Sequence, residues 1–234
     1  MRPSSRNKIS LFAATAAMAI SAGLVGMPAA SAAVKPVEIT GFTVKDMVFS
    51  SSKCSAHTIT ARGKVATNVD SFYADAAITR NGVLLDVLEL DESDESGRVV
   101  ICPQEGLGAY KVGPTNIYDD ADRPAFDYWD NTSKTFYVRG KATSAISSAR
   151  QGKVVTLKVS ASYYNPSVSK YSALNAKGVK VQRKTTRGWT TIKTVNLAKG
   201  KASFRYTQKA KASYRAVVAQ TSRTTAATSA TTKR

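Results

Sequence analysis

Along residues 155–161, Val155, Leu157, Val159 and Ala161 alternate with Thr156, Lys158 and Ser160. A period of two predicts a strand with one buried and one wet face. Further strand-like runs lie at 179–184, 189–195, 202–206, 213–219 and 225–231, with turn residues such as Gly188 and Gly200 between them. In the first half, residues 72–80 and 83–90 are joined by Asn81-Gly82, the pair favoured in two-residue hairpin turns. Simple pairing outward from that turn sets Arg80 against Val83, Ile78 against Leu85 and Ala76 against Val87. Shorter runs at 37–44, 58–66, 98–102, 109–112 and 135–138 complete the pattern. No amphipathic helix follows the N-terminal region. Short strands separated by turn residues predict an all-β chain of two tandem antiparallel β-sandwiches.

The N-terminal region breaks this pattern. Arg2, Arg6 and Lys8 precede an uncharged apolar stretch from Ile9 to Met27, and Ala30-Ser31-Ala32 closes it. Positive, apolar and small-x-small segments in that order predict a secretory signal peptide over residues 1–32, cleaved after Ala32. An uncleaved anchor is the alternative, but Ser10, Thr15, Ser21, Gly23 and Gly26 dilute the stretch. No later segment has the roughly 18 unbroken apolar residues of a spanning helix. The protein is therefore expected to be secreted and extracellular. Export gives the only two cysteines, Cys54 and Cys102, an oxidising compartment in which a disulfide is expected. A metal pair is the alternative, though the spacing fits no zinc pattern and His57 is the only histidine.

Charge divides the mature chain. Residues 33–140 hold 11 Lys and Arg against all 16 Asp and Glu, a balance of −5. Residues 141–234 hold 20 Lys and Arg and no acid at all. Opposite halves predict two domains, an acidic one at 33–134 and a basic one at 135–234. An acid-free surface attracts polyanions, so the expected partner is an anionic cell-wall polymer. Teichoic acid, anionic lipid, extracellular DNA and acidic polysaccharide all have the right charge. Lys180, Arg183, Lys184, Arg187, Lys199, Lys201, Arg205, Lys209 and Lys211 are the candidate contacts. A merely solvated surface, or docking against the acidic half, are the competing explanations.

The stretches Gly178-Val-Lys-Val-Gln-Arg-Lys, Gly188-Trp-Thr-Thr-Ile-Lys-Thr-Val, Lys199-Gly-Lys-Ala-Ser-Phe and Ser213-Tyr-Arg-Ala-Val-Val resemble immunoglobulin-like modules of actinobacterial secreted and cell-envelope proteins. The likeness covers about residues 135–234 and recurs more weakly before it. It implies a β-sandwich with Trp189 and Tyr214 in its core. It implies no activity, because such modules serve many exported proteins. The basic half has no cysteine, so packing alone must hold it.

Candidate chemistry is sparse. His57 has no partner in any nucleophile or metalloprotease motif. Glu89, Asp91, Glu92, Asp94 and Glu95 crowd one hairpin end, with Asp91, Glu92, Asp94 and Glu95 as the candidate metal ligands of this Glu89–Glu95 loop, and Asp119, Asp120 and Asp122 form a second cluster. Carboxylates on a loop are calcium ligands, which makes calcium binding the alternative function, although the EF-hand spacing and glycine are missing. No two of these acids are placed across a cleft as a glycosidase needs. No glycine-rich cradle for a nucleotide is present, and no cofactor is expected. Tyr163, Tyr164 and Tyr171 flank Asn165-Pro166 beside Lys170, either as ring-stacking groups or as ordinary packing. The sequence thus points to an exported, non-catalytic binding or structural protein.

Overall fold

A computed structural model describes residues 35–119 and 126–234. The expected signal peptide, and Asp120 and Asp122 of the second acidic cluster, lie outside the described residues. The chain is all-β, and its strands form two sheet pairs. The first contains β1 (Val37–Thr43), β2 (Met47–Phe49), β3 (Ser55–Val65), β4 (Tyr73–Arg80), β5 (Val83–Asp91), β6 (Ser96–Ile101), β7 (Gly108–Tyr118), β8 (Asp127–Asp130) and β9 (Lys134–Gly140). One sheet runs β1-β3-β6 and the other β2-β9-β7-β4-β5, with β8 beside β7. Ile59, Ala61, Val99 and Ile101 of one sheet meet Ile78, Leu88, Tyr110 and Phe136 of the other in a buried core.

The Asn81-Gly82 turn forms, with both residues at positive φ. The register beyond it differs from simple pairing. Arg80 faces Val83 and Thr79 faces Leu84, but a bulge then sets Ile78 against Asp86, Ala76 against Leu88 and Ala74 against Leu90. The slip has a physical reason. Pairing Ala76 with Val87 would turn Glu89 into the core and Leu88 and Leu90 out, because one residue of slip exchanges the faces. With the bulge, Leu88 and Leu90 are buried and Glu89 is exposed.

The disulfide joins Cys54 to Cys102 across a separation of 48 residues. It lies just outside the β3–β6 ladder, next to the Ser55–Ile101 pair. It therefore clasps neighbouring strands of one sheet and does not bridge the two sheets, as the disulfide of antibody domains does.

The second sheet pair contains β10 (Ala142–Gln151), β11 (Val154–Asn165), β12 (Lys170–Ala173), β13 (Val179–Thr185), β14 (Gly188–Val195), β15 (Lys201–Thr207), β16 (Ser213–Val218), β17 (Ala227–Thr228) and β18 (Thr232–Lys233). One sheet has β10 on one side of β11 and β12 and β15 on the other; the second runs β14-β13-β16-β17, with β18 also on β16. Val155, Leu157 and Val159 face Val179, Val181, Tyr214 and Ala216 in a separate, smaller core. The strand expected at 225–231 is broken in two. The buried Ser229 interrupts it, its hydroxyl accepting from Ala216 N at 2.9 Å and donating to Ala230 O at 2.9 Å.

The junction between the sheet pairs is tightly built. The strand expected at 135–138 runs over 134–140 and pairs as β9 with β2 and β7 of the first sheet pair. The chain crosses after it, at Gly140-Lys141, where the charge balance also changes. Gly140 N donates to Arg223 O at 2.9 Å, Lys141 N to Phe49 O at 2.8 Å, and Thr225 N to Gly140 O at 3.1 Å. Buried Arg139 donates to Asp46 Oδ2 at 2.5 Å and to Thr221 O at 2.7 Å. Tyr164 of β11 is buried in the first core. Residues 35–234 consequently make one compact unit.

Candidate anion-binding surface

Strand alternation decides which basic residues reach solvent. In the sheet of β10, β11 and β15, Val155, Leu157 and Val159 point inward and the intervening residues point out. Register then assembles the outer face in rows across the three strands. Ala145, Ser160 and Lys201 form one row, Ser147, Lys158 and Ser203 the next, and Ala149, Thr156 and Arg205 the third. Each row has one cation, and every other member is Ala, Ser or Thr. Small side chains leave a shallow trough of about 620 Å³ lined by Ala145, Ser147, Lys158, Ser160, Lys201 and Ser203, together with Ile146, Val159 and Ala202 of the intervening positions. No residue of the opposing sheet lines it.

The outer face of the other sheet is different. Lys180, Gln182 and Lys184 alternate on β13, with Arg215 opposite Gln182 and Trp189 opposite Lys184. Arg215 lies 4.3 Å over the Trp189 ring and donates through Nε to Gln182 Oε1 at 2.8 Å. Trp189 is thus a half-buried residue of the outer face, whereas the resemblance implied a core position. Tyr214 takes the expected core position and is fully buried.

The nine candidate contacts are therefore distributed over the sandwich. Lys180 and Lys184 lie on one outer face, Lys201 and Arg205 on the other. Arg187 and Lys199 are exposed in turns, and Lys209 and Lys211 in the loop before β16. Arg183 does not belong with them. It lies beside Tyr214 at the inner end of its strand and donates to Gln208 Oε1 at 2.5 Å and Tyr206 OH at 3.3 Å. Lys158 at the centre of the trough is missing from the candidates, because its position depends on the pairing of β11 with β15.

The side-chain ion pairs lie in the first sheet pair. Among the described residues, the ion pairs are Lys35–Asp130 at 3.4 Å, Lys64–Glu38 at 3.5 Å and Arg139–Asp46 at 2.5 Å. None includes a cation from Lys141 onward. Arg150 instead donates to the carbonyls of Gln208 at 2.6 Å and Ala210 at 2.9 Å, fixing the loop that carries Lys209.

The acidic hairpin end is occupied with its own backbone. Asp91 Oδ1 accepts from Ser93 N, Ser93 Oγ and Asp94 N at 2.7–2.8 Å. These bonds, from Ser93 foremost, hold the Asp91 carboxyl below its ordinary value. Asp94 Oδ1 accepts from Ser96 N at 2.9 Å, and Glu92 Oε2 from Phe72 N at 3.4 Å. Among the described residues no three acid, His or Cys side chains converge as metal ligands do. His57 Nε2 is hydrogen-bonded with Lys45 O at 2.5 Å, and its ring stacks on Phe136. Tyr164 is buried and meets the exposed Tyr171 edge-on, with ring centroids 6.1 Å apart, so of this pair only Tyr171 offers a ring to solvent. No described helix is long and apolar enough to cross a membrane.

No protein-family model matches the chain, and no curated protein matches it. Among solved structures it is similar to β-glucuronidase 3 of Bacteroides uniformis, at 11% identity over 85% of this chain and 24% of that one, with a TM-score of 0.27. It is also similar to the human OSCAR ligand-binding domain, at 11% identity over 83% and 96% of the two chains, TM-score 0.26. The FN1–FN3 domains of chicken CNTN1 match at 13% identity over 82% and 68%, TM-score 0.29. The chain spans about a quarter of the β-glucuronidase.

Proposed function

We propose that this is an exported, non-catalytic protein that binds anionic cell-envelope polymers through its acid-free second sheet pair. The observation that carries this reading is that, among the described residues, no cation from Lys141 onward is paired with an Asp or Glu side chain. The alternative of charges spent between the two halves would need such pairs. Unpaired cations on a surface concentrate polyanions and steer their approach. The signal-like N-terminus and the Cys54–Cys102 disulfide support an extracellular site of action. The resemblance to actinobacterial envelope modules supports the choice of envelope polymers. A single histidine, engaged with a backbone carbonyl, supports a role in contact over one in catalysis.

Retention of the full chain on immobilised polyanion, measured across a salt gradient, tests the proposal. Binding should weaken steeply as salt rises, since exposed charges are screened within about 10 Å at 0.1 M. Retention indifferent to salt, or none at low salt, would refute it.

A further inference from the structure

The proposed function leaves open which surface holds the polymer and what kind of polymer fits. We propose that the trough on the outer face of β10, β11 and β15 is a subsite for an unbranched phosphodiester polymer with small spacers, of the poly(glycerol phosphate) kind. The inference rests on the polyanion-binding reading and specifies its site and ligand.

Three observations carry it. The first is the arrangement of charge. Lys158 is paired with Ser203, so Lys201 and Arg205 are its two diagonal neighbours on β15. Diagonal neighbours lie about 7–8 Å apart, so the three cations zigzag along the sheet, and among the described residues no acid side chain pairs with them. A chain with regularly repeated anions can meet all three in succession; a compact single anion cannot.

The second is shape. Around these cations the rows hold only Ala145, Ser147, Ala149, Thr156, Ser160 and Ser203. The floor is therefore low, and serine hydroxyls are available to donate to phosphate oxygens. None of these three rows holds an aromatic ring, and the nearest pair on that face of the sheet, Tyr164 with Tyr171, stands beyond Ser162, so the trough itself lacks the stacking platform that sugars or bases would use. A thin chain without rings fits it best.

The third is contrast with the opposite face. There Arg215 is already bonded to Gln182 and laid over Trp189. That guanidinium is committed to covering the indole. Lys180, Lys184 and Lys233 also stand on that face, whereas on the β10–β11–β15 face Lys158 and Lys201 line the trough and Arg205 stands in the next row.

The test uses the full chain and poly(glycerol phosphate) in titration calorimetry at low salt. The triple variant K158Q/K201Q/R205Q should raise Kd by roughly tenfold or more and reduce the slope of log K against log salt by about 2. K180Q/K184Q/R215Q removes the same charge from the other face and should change Kd by less than about threefold. Ser203→Phe keeps every charge and fills the middle row, and it too should weaken binding roughly tenfold. A polyglutamate of matched charge should bind less tightly than the phosphodiester. Equal losses in the two triple variants, an unaffected Ser203→Phe, or equal affinity for polyglutamate would each overturn the inference while leaving polyanion binding intact. Absence of salt-sensitive binding by the unmodified protein would instead remove the broader proposal.

Discussion

Replacing Gly140 by alanine probes the junction most directly. Gly140 has an ordinary backbone conformation, so alanine meets no penalty from φ. The obstacle is space. A Cβ there would fall well inside contact distance of the Tyr164 carbonyl oxygen, 3.0 Å from Leu107 Cδ1 and 3.3 Å from Tyr163 Cδ2. A rotamer change cannot remove the carbonyl, so β9 and β11 must separate. Overpacking of this kind costs about 1–3 kcal/mol. The separation also stretches the hydrogen bonds Gly140 N–Arg223 O, Lys141 N–Phe49 O and Thr225 N–Gly140 O, each worth about 1 kcal/mol. A combined loss of about 3 kcal/mol should lower Tm by roughly 6–12 °C for a chain of this size. Gly41→Ala is the control, because no atom lies within 4 Å of a Cβ at that position and its φ is not positive. It should stay within about 0.5 kcal/mol of the parent. Thermal unfolding followed by circular dichroism reads both, and hydrogen exchange at the Lys141 and Thr225 amides reports the junction itself. If Gly140→Ala melts within about 2 °C of Gly41→Ala, the two sheet pairs do not lean on each other through this glycine.

Other perturbations test separate parts of the structure. Removing the disulfide with Cys54→Ser/Cys102→Ser should cost about 4 kcal/mol in denaturant unfolding, the entropy of a loop of 48 residues; an unmoved midpoint would contradict that restraint. Asp130 gives a pH dependence: burial alone would raise its pKa, but the Thr132 N–H and Lys35 outweigh it and hold the carboxyl below 3.8. Its ionised form therefore stabilises the fold above pH 3.8, and that contribution disappears as pH falls through the lower folded value. Asp130→Asn should lose stability at neutral pH and melt with a flatter acid limb; an unchanged limb would show that Asp130 is not responsible. Millimolar calcium should leave Tm where it is, because Asp91 and Asp94 already accept from the turn's own donors. A Tm that climbs with calcium concentration would show ligand linkage at that loop.

The fold was legible wherever alternation was strong and local. The inner face of β11 follows directly from Val155, Leu157 and Val159, and the Asn81-Gly82 turn falls where its residue types require. The hairpin register was not legible, because the bulge answers to the burial of Leu88 and Leu90 against another sheet. β10 was also hidden. Its inward positions include Ser144 and Ser148, and Ser148 Oγ bonds to Thr232 Oγ1 at 2.9 Å across the sandwich. A strand that packs small polar residues against a distant segment shows no apolar period. β9 extends two residues past the expected run of 135–138 for a related reason: its pairing with β2, which reaches Gly140, is long-range.

The candidate surface divides along the same line. Charge was visible in the sequence, since a run of residues from Lys141 onward without one acid needs no fold to be noticed. Placement was not. Lys180 and Arg183 are three residues apart, yet Lys180 is on the wet face and Arg183 bonds to Gln208 at the inner end of the sheet. The resemblance to immunoglobulin-like modules implied a core place for Trp189, but its parity on β14 sets it opposite Lys184, where Arg215 covers it. Lys158 and Lys201 are 43 positions apart and become diagonal neighbours only through the β11–β15 ladder. A polyanion-binding surface on a sandwich is thus a property of register more than of composition. Moving β15 by one residue would leave the net charge unchanged, but it would turn Lys201 and Arg205 inward and dissolve the trough.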